Sequence, residues 1–131
     1  ASGIQVDTEI MVVKNMKIDM VDCGIIFGNI LENAIEACLK QSGEADRRIL
    51  VKLLYKKGML VCGICNSMDP DTSVRSGFAT TKPEAESHGL GLPNVREAVA
   101  GYGGTLNLKA QDGRFEVSFV LFGVAPSYCA V

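Results

Sequence analysis

Apolar residues recur along this chain at two different spacings, and each change of spacing marks an element. From Ile4 to Lys14 (IQVDTEIMVVK) β-branched residues dominate and partly alternate with polar ones, which predicts a strand. Beyond Asp19 the spacing lengthens: Ile26, Ile30, Ala34 and Ala37 recur at three- and four-residue steps, the period of a helix with one apolar face. Asp19 or Asp22 can cap its start, it runs to about Gln41, and Gly43 is placed to stop it. Residues 48–56 (RILVKLLYK) read as a second strand. Lys57-Gly58 turns the chain into a third, Met59 to Cys65. A second helix starts with Pro93 in its first turn, runs to about Tyr102 and is stopped by Gly103-Gly104. Residues 105–111 and 114–122 form a hairpin around Asp112-Gly113, a dipeptide suited to a type I′ turn. Residues 123–131 read as a loose tail.

Between residues 66 and 91 no apolar period survives, and Ser, Thr, Gly, Pro and charged residues take over. So long an irregular stretch inside a small domain suits a lid or binding loop better than a plain connection. We expect it to be a flexible lid over residues 67–88. The element order is strand, helix, two strands, long loop, helix, two strands. It predicts an α+β fold, a two-layer sandwich with a mixed sheet and its helices on one face. Neither a repeat nor a domain boundary is visible, so residues 1–131 read as a single domain.

Composition narrows the functional classes. Hydrophobic residues make up 47% of the 131 and charged residues 21%, which supports a packed core rather than a disordered chain. No apolar run approaches the roughly 18 residues that a membrane-crossing helix needs, and the first residues lack the pattern of a signal peptide. Ala1-Ser2-Gly3 has the look of an added remnant, so a longer parent with a membrane anchor is compatible with this reading, while this domain itself is expected to make no membrane contact. The net charge of −2, with both signs interspersed, offers no basic field for nucleic acid. An anion must then be held by local devices such as backbone amides, a metal or single cations. The five cysteines are an odd number, which suits a reducing cytoplasm. Cys62 and Cys65 form a CxxC, but inside a strand that odd spacing sends them to opposite faces, which favours small packed side chains over a metal or redox pair.

Three features carry chemistry. Asn29 and Asn33 sit four apart, on one face of an otherwise apolar helix. Buried amides cost free energy unless they are bonded. They either satisfy nearby backbone or present neutral carbonyl oxygens suited to Mg²⁺ with phosphate co-ligands. Next, Ser87-His88-Gly89-Leu90-Gly91-Leu92-Pro93 ends the long loop and opens a helix. There glycines permit close approach to a phosphate, and free N–H groups meet the positive end of the helix dipole. It is neither a dinucleotide fingerprint nor a P-loop. Finally, Lys82, after Thr80-Thr81, can reach a terminal phosphate as a point charge, or can be a solvated surface lysine.

Together, GNILENAIEAC (residues 28–38) and TTKPEAESHGLGLPNVREAVAGYGGTL (residues 80–106) resemble the GHKL, or Bergerat, nucleotide-binding fold. Within it they look most like bacterial sensor histidine kinases of the peptide-pheromone quorum-sensing group, over roughly residues 20–122. The resemblance implies a protein histidine kinase catalytic domain of a two-component system that binds ATP and Mg²⁺. Asn33 would ligate the metal, and Asn29 would contact phosphate or a metal-bound water. Gly89, Leu90 and Gly91 would supply backbone amides to the phosphates, and Lys82 and His88 would belong to the lid. Asn66 stands where the family usually has an Asp that reads the adenine amino group. The implied partners are a histidine-containing dimerisation domain of the parent chain and, indirectly, a response regulator. The implied setting is the cytoplasmic side of a membrane-anchored parent.

Two departures from the family pattern matter. The usual DxGxG is absent and the chain reads NSMDPD from Asn66, with Asp69 and Asp71 as rival adenine readers deeper in the loop. Gyrase-like and MutL-like members carry a Glu at the position of Asn29 to activate water, and an amide cannot act as that base. This favours transfer to a side chain over ATP hydrolysis. The one histidine, His88, lies inside the glycine motif, so the phosphoacceptor is expected elsewhere and autophosphorylation of this chain alone is not expected. No general base is assigned; Glu32 is a candidate only by proximity to Asn33. Two other readings are an anti-sigma-type protein serine kinase of the same fold and a non-catalytic nucleotide-binding pseudokinase.

Overall fold

The computed structural model describes residues 3–43, 46–70 and 91–126. Five strands form one sheet: β1 (Gln5–Met11), β2 (Arg48–Lys56), β3 (Met59–Ser67), β4 (Asn107–Gln111) and β5 (Arg114–Leu121). Their spatial order is β1-β2-β3-β5-β4. β1 and β2 run parallel, which demands a crossover, and the first helix supplies it. All other neighbours are antiparallel. At Lys57-Gly58 (φ 47° and 82°) and Asp112-Gly113 (φ 51° and 77°) both central residues take positive φ, as a type I′ turn requires.

Inward positions alternate along the central strands. Leu60, Cys62, Ile64 and Asn66 of β3 are buried, as are Val117, Phe119 and Leu121 of β5. The helices cover this face, giving the two layers that the sequence predicts. The opposite face is more exposed and carries polar pairs such as Lys52–Glu9 (3.5 Å), an exposed ion pair of little energetic weight.

The first helix is built in three pieces. Asp19 caps α1 (Met20–Cys23), its Oδ1 accepting from the Val21 N–H at 2.7 Å. A π-helical turn, Gly24–Gly28, follows, and α2 (Asn29–Leu39) completes the helix. Ile26, Ile30, Ala34 and Cys38 are buried against the sheet. At about 1.5–3 kcal/mol for each large aliphatic side chain, this stripe anchors the helix. α3 (Leu92–Ala100) adds Val95 and Val99 to the same core and packs against the π turn, α2 and β5.

Several boundaries differ from the sequence reading. The first helix ends at Leu39 rather than near Gln41, and Gly43 is not its stop. The Arg47 guanidinium ends it, donating to the carbonyls of Leu39 and Gln41 at 3.2 Å each. β3 continues to Ser67, which pairs with Arg114 of β5, and its hydroxyl accepts from Arg48 N–H (2.9 Å) and donates to Gln41 Oε1 (2.6 Å). α3 stops at Ala100, with the left-handed residue at Gly103 (φ 78°). The tail is not loose at its start. Val124 is fully buried, donates to Gly58 O (3.0 Å) and accepts from Lys17 N–H (3.0 Å). Residues 127–131 lie outside the described residues.

Gly104 is a close-approach glycine: a Cβ there would run into the Val120 carbonyl oxygen and come within 3.1 Å of Val99 Cγ1. Gly104→Ala should therefore lower the unfolding free energy by roughly 1–3 kcal/mol. Urea denaturation measures this; a midpoint equal to that of the parent protein would contradict the packing described.

Candidate nucleotide site

One groove shows which flank of the first helix faces α3. Asp22 and Ile25 line it on one side; Asn94, Glu97, Ala98, Gly101 and Tyr102 line it on the other. Asn29 follows Ile25 by four residues and Asn33 follows Asn29 by four, so both continue that flank. The Tyr102 hydroxyl donates to Asp22 Oδ2 at 2.6 Å, so the start of the first helix meets the end of α3 and the two run antiparallel. From this anchor Asn33 lies 33 − 22 = 11 residues on, and Gly91 lies 102 − 91 = 11 residues back. At a rise of about 1.5 Å per residue, each lies on the order of 16 Å from the anchor, toward the same end of the pair.

The two amides differ in state. Asn29 Nδ2 donates to the Ile25 carbonyl at 2.7 Å, within the π turn, so its Oδ1 is the atom turned away from the helix backbone. Asn33 is half-buried, and its side chain makes no hydrogen bond to any described residue. The sequence left two readings open for this pair. Asn29 satisfies backbone as the bland reading has it; Asn33 does not.

Gly91 precedes α3 and has no side chain with which to cap it. Its carbonyl accepts from the amides of Asn94 (3.1 Å) and Val95 (3.4 Å), and Pro93 removes one donor from the first turn. Among the described residues no side chain caps this helix start, and a helix N-terminus with free N–H groups favours an anion. Among the described residues, a Cβ at Gly91 would meet only Pro93 Cδ, at 4.0 Å, so protein packing does not demand glycine there.

Asn66 is the last inward-facing position of β3 and only 3% exposed. It pairs with Ile49 on β2 and Phe115 on β5. Its Nδ2 donates to the Ser67 carbonyl at 3.0 Å, leaving Oδ1 as the acceptor turned away from that bond. The rival Asp69 is engaged elsewhere. Its carboxylate accepts from Ser42 N–H (3.1 and 3.2 Å) and Ser42 Oγ (3.1 and 3.3 Å), tying the chain after β3 to the end of the first helix. Met68 N–H also bonds Gly113 O at 2.9 Å, so residues 67–69 of the expected lid are held to the scaffold. Glu32 is exposed, on a face of α2 different from that of Asn33. Lys82, His88, Gly89 and Leu90, together with Thr80, Thr81 and Asp71, lie outside the described residues.

Cys62 and Cys65 do face opposite sides of the sheet, Cys62 buried in the core and Cys65 half-buried outside. Burial pushes the Cys62 thiol up to about 12, with nearby Cys23 adding to the rise. Burial and then Glu116 also raise Cys65, with Arg114 opposing. Both thiols are thus held protonated and unreactive at neutral pH. Cys65, Lys109, Gln111, Asp112, Arg114 and Glu116 line a second cavity of about 250 Å³, on the outer sheet face, where charges of both signs offset one another.

Sequence reasoning missed Tyr102, Arg47 and Ser42. Each joins residues distant in sequence through a polar bond, and no local spacing announces such a bond. The Asp19-x-x-Asp22 pair was visible as a cap, but its phenol partner lies 80 residues away.

A model of the GHKL domain family matches residues 18–122. No curated protein matches the chain at the level of sequence. Among solved structures, the nucleotide-free catalytic domain of the histidine kinase ThkA superposes with a TM-score of 0.69 at 17% identity, covering 93% of this chain and 80% of that one. The histidine kinase domain of the Erythrobacter litoralis EL346 blue-light activated histidine kinase gives 0.65 at 16%, covering 94% and 53%. Full-length ShkA in complex with AMPPNP gives 0.67 at 20%, covering 95% and 27%. At these identities the likeness is one of fold. Among the described residues, no helix is long and apolar enough to cross a membrane.

The Cys62 shift predicts a pH dependence. In the unfolded chain a thiol ionises near its ordinary 9.0, but in the fold Cys62 stays protonated up to about 12. Stability should therefore fall as pH rises through that window, and Cys62→Ala should lessen the fall. Denaturation at pH 8, 10 and 11 checks this; equal pH profiles for the two proteins would mean that the thiol is not desolvated.

Proposed function

The chain belongs to the GHKL domain family, and on that premise we propose that it binds ATP with Mg²⁺ between the amide flank of the first helix and the start of α3. We infer further that it passes the γ-phosphoryl group to a histidine on a dimerisation domain, as the catalytic part of a two-component sensor kinase. The observation that carries this reading is the half-buried Asn33 amide, without a protein partner among the described residues, toward the same end of the helix pair as the uncapped start at Gly91. A neutral carbonyl oxygen suits Mg²⁺ when phosphates provide the remaining ligands and the negative charge.

In this reading Asn33 Oδ1 would hold the metal, and Asn29 Oδ1 would contact phosphate or a metal-bound water. Bound Mg²⁺ would neutralise charge on the β- and γ-phosphates. Gly91, with Gly89 and Leu90 before it, offers backbone N–H groups to the phosphates at the positive end of α3. Lys82 and His88, outside the described residues, would act from the lid. Asn66 accepts from the adenine amino group in place of the usual Asp. Its burial supports the role, because a buried acceptor discriminates between bases more strongly than an exposed one. Catalysis by such a site consists of positioning and charge stabilisation rather than covalent chemistry.

Two candidate bases for water lose support. Asn29 cannot serve, and Glu32 points to solvent. This supports transfer to a side chain over hydrolysis. His88 is the chain's one histidine, so the acceptor imidazole belongs to another domain. The paired amides and the replacement of the Asp by Asn66 also support kinship with the peptide-pheromone quorum-sensing sensors, with a response regulator as the eventual acceptor.

Titration with a fluorescent ATP analogue, with and without Mg²⁺, tests the proposal. Asn33→Ala should weaken Mg-dependent binding by at least about tenfold and leave the thermal midpoint unchanged, since its amide supports no other described residue. Unchanged affinity would falsify the metal role. No binding by the parent protein at millimolar nucleotide would favour a non-catalytic member of the family. Gly91→Ala should fold normally, because nothing described crowds it, yet bind the analogue several-fold more weakly. Undiminished affinity there would place the amide cradle elsewhere.

A further inference from the structure

The end of α3 opposite Gly91 carries a device that the nucleotide site itself does not use. Tyr102 donates its hydroxyl proton to Asp22 Oδ2 (2.6 Å) and accepts from the Asp19 backbone N–H (3.0 Å). A phenol has one proton and free lone pairs, so both bonds can form at once. Asp19 is the N-cap of the first helix and Asp22 lies in its first turn. One hydroxyl therefore grips both the cap and the first turn, fixing where the helix starts and which way it points. The Tyr102 backbone is itself anchored. Its carbonyl accepts from Phe122 N–H (2.9 Å), next to the end of β5, and its N–H donates to Val99 O (3.0 Å).

Packing joins the two helices at their base and is interrupted above it. Beneath, Ile26, Val95 and Val99 are buried, but above them the helices part around a groove of about 630 Å³. These contacts are close-packed but apolar, and burial itself has no preferred direction. A charge-assisted hydrogen bond does have one. The lever is long: the two bonds lie at one end of the antiparallel pair, and Asn33 and Gly91 lie 11 residues along each helix from Asp22 and Tyr102 (33 − 22 and 102 − 91). Burial, and then the bond to Asp22, raise the phenol above its ordinary ionisation range, so the proton that makes the bond is retained at physiological pH.

Resting on the nucleotide-site reading above, we propose that Tyr102 is a positioning residue for that site. Through Asp22 and Asp19 it sets the register between the first helix and α3, and thereby the separation of Asn33 from Gly91. It touches neither nucleotide nor metal. Loss of the hydroxyl leaves the ring in place and allows the helices to slip, so part of the free energy of nucleotide binding is then consumed in restoring alignment.

The test uses the same Mg²⁺-dependent titration with a fluorescent ATP analogue, on the full chain. Tyr102→Phe should weaken binding by about fivefold, consistent with one lost charge-assisted hydrogen bond spread over several states. Leu108→Ala, which loosens the distant β4 edge, is the control for mere destabilisation; it should lower the thermal midpoint and leave affinity unchanged. Asp22→Ala combined with Tyr102→Phe should bind no more weakly than Tyr102→Phe alone, because loss of the hydroxyl already breaks both bonds. The positioning role is overturned if Tyr102→Phe binds as the parent does, if Leu108→Ala loses as much affinity as Tyr102→Phe, or if the two latch substitutions add. Absence of binding by the parent protein is a different result, and it strikes the nucleotide site itself.

Discussion

The structure depends on one contact between helices. The first helix and α3 cross the same sheet face antiparallel, joined at one end by the Tyr102 hydroxyl and separated above the core by a groove. The described residues assigned to ligand binding, Asn29, Asn33, Asn66 and Gly91, lie along this pair or on the sheet beneath it. The sheet supplies the flat apolar floor that holds both helices: Ile49, Leu60, Ile64, Val117 and Phe119 below, and Ile26, Ile30, Val95 and Val99 above. If that floor were lost, the amides and the helix start would have no fixed relation. With it, their relation reduces to one variable, the register between two helices.

Polar side chains on such a frame are informative because the core penalises them. Asn29, Asn33 and Asn66 each interrupt an apolar pattern, and the structure separates them by how they are satisfied. Asn29 is half committed to the carbonyl of Ile25, in a π-helical turn of the kind often found near functional sites. Asn66 is committed on one side to its own neighbour. Asn33 makes no hydrogen bond to any described residue and is half-buried, which leaves both atoms of its amide open to a ligand. That gradient, rather than the mere presence of three asparagines, gives them separate roles.

Most of the fold was legible because it rests on local signals. The alternation of β2 and β5, the three-and-four spacing of Ile26, Ile30 and Ala34, and the two turns with paired positive φ all follow from the pattern of neighbours in sequence. The errors fell where distant residues decide. The first helix ended early because Arg47 folds back onto its last carbonyls, and β3 ran longer, to Ser67, which pairs with Arg114 of β5. The bond that engages Asp69, a rival adenine acceptor by sequence, likewise comes from distant Ser42. Of the site, the paired amides and the glycine before α3 were visible as motifs. Their mutual placement was not, because it comes from Tyr102 and Asp22, 80 residues apart.

The central claim is that one metal–phosphate group lies against both Asn33 and Gly91. Substituting Mn²⁺ for Mg²⁺ in the presence of AMPPNP and following paramagnetic broadening of the amide resonances tests it directly, because the effect falls off steeply with distance from the metal. The account predicts that the Asn33 side-chain amide and the Gly91 and Leu92 backbone amides broaden first, while signals from the β4–β5 hairpin stay sharp. Broadening centred on the outer-face cavity around Cys65 and Glu116, with Asn33 and Gly91 unaffected, would contradict it.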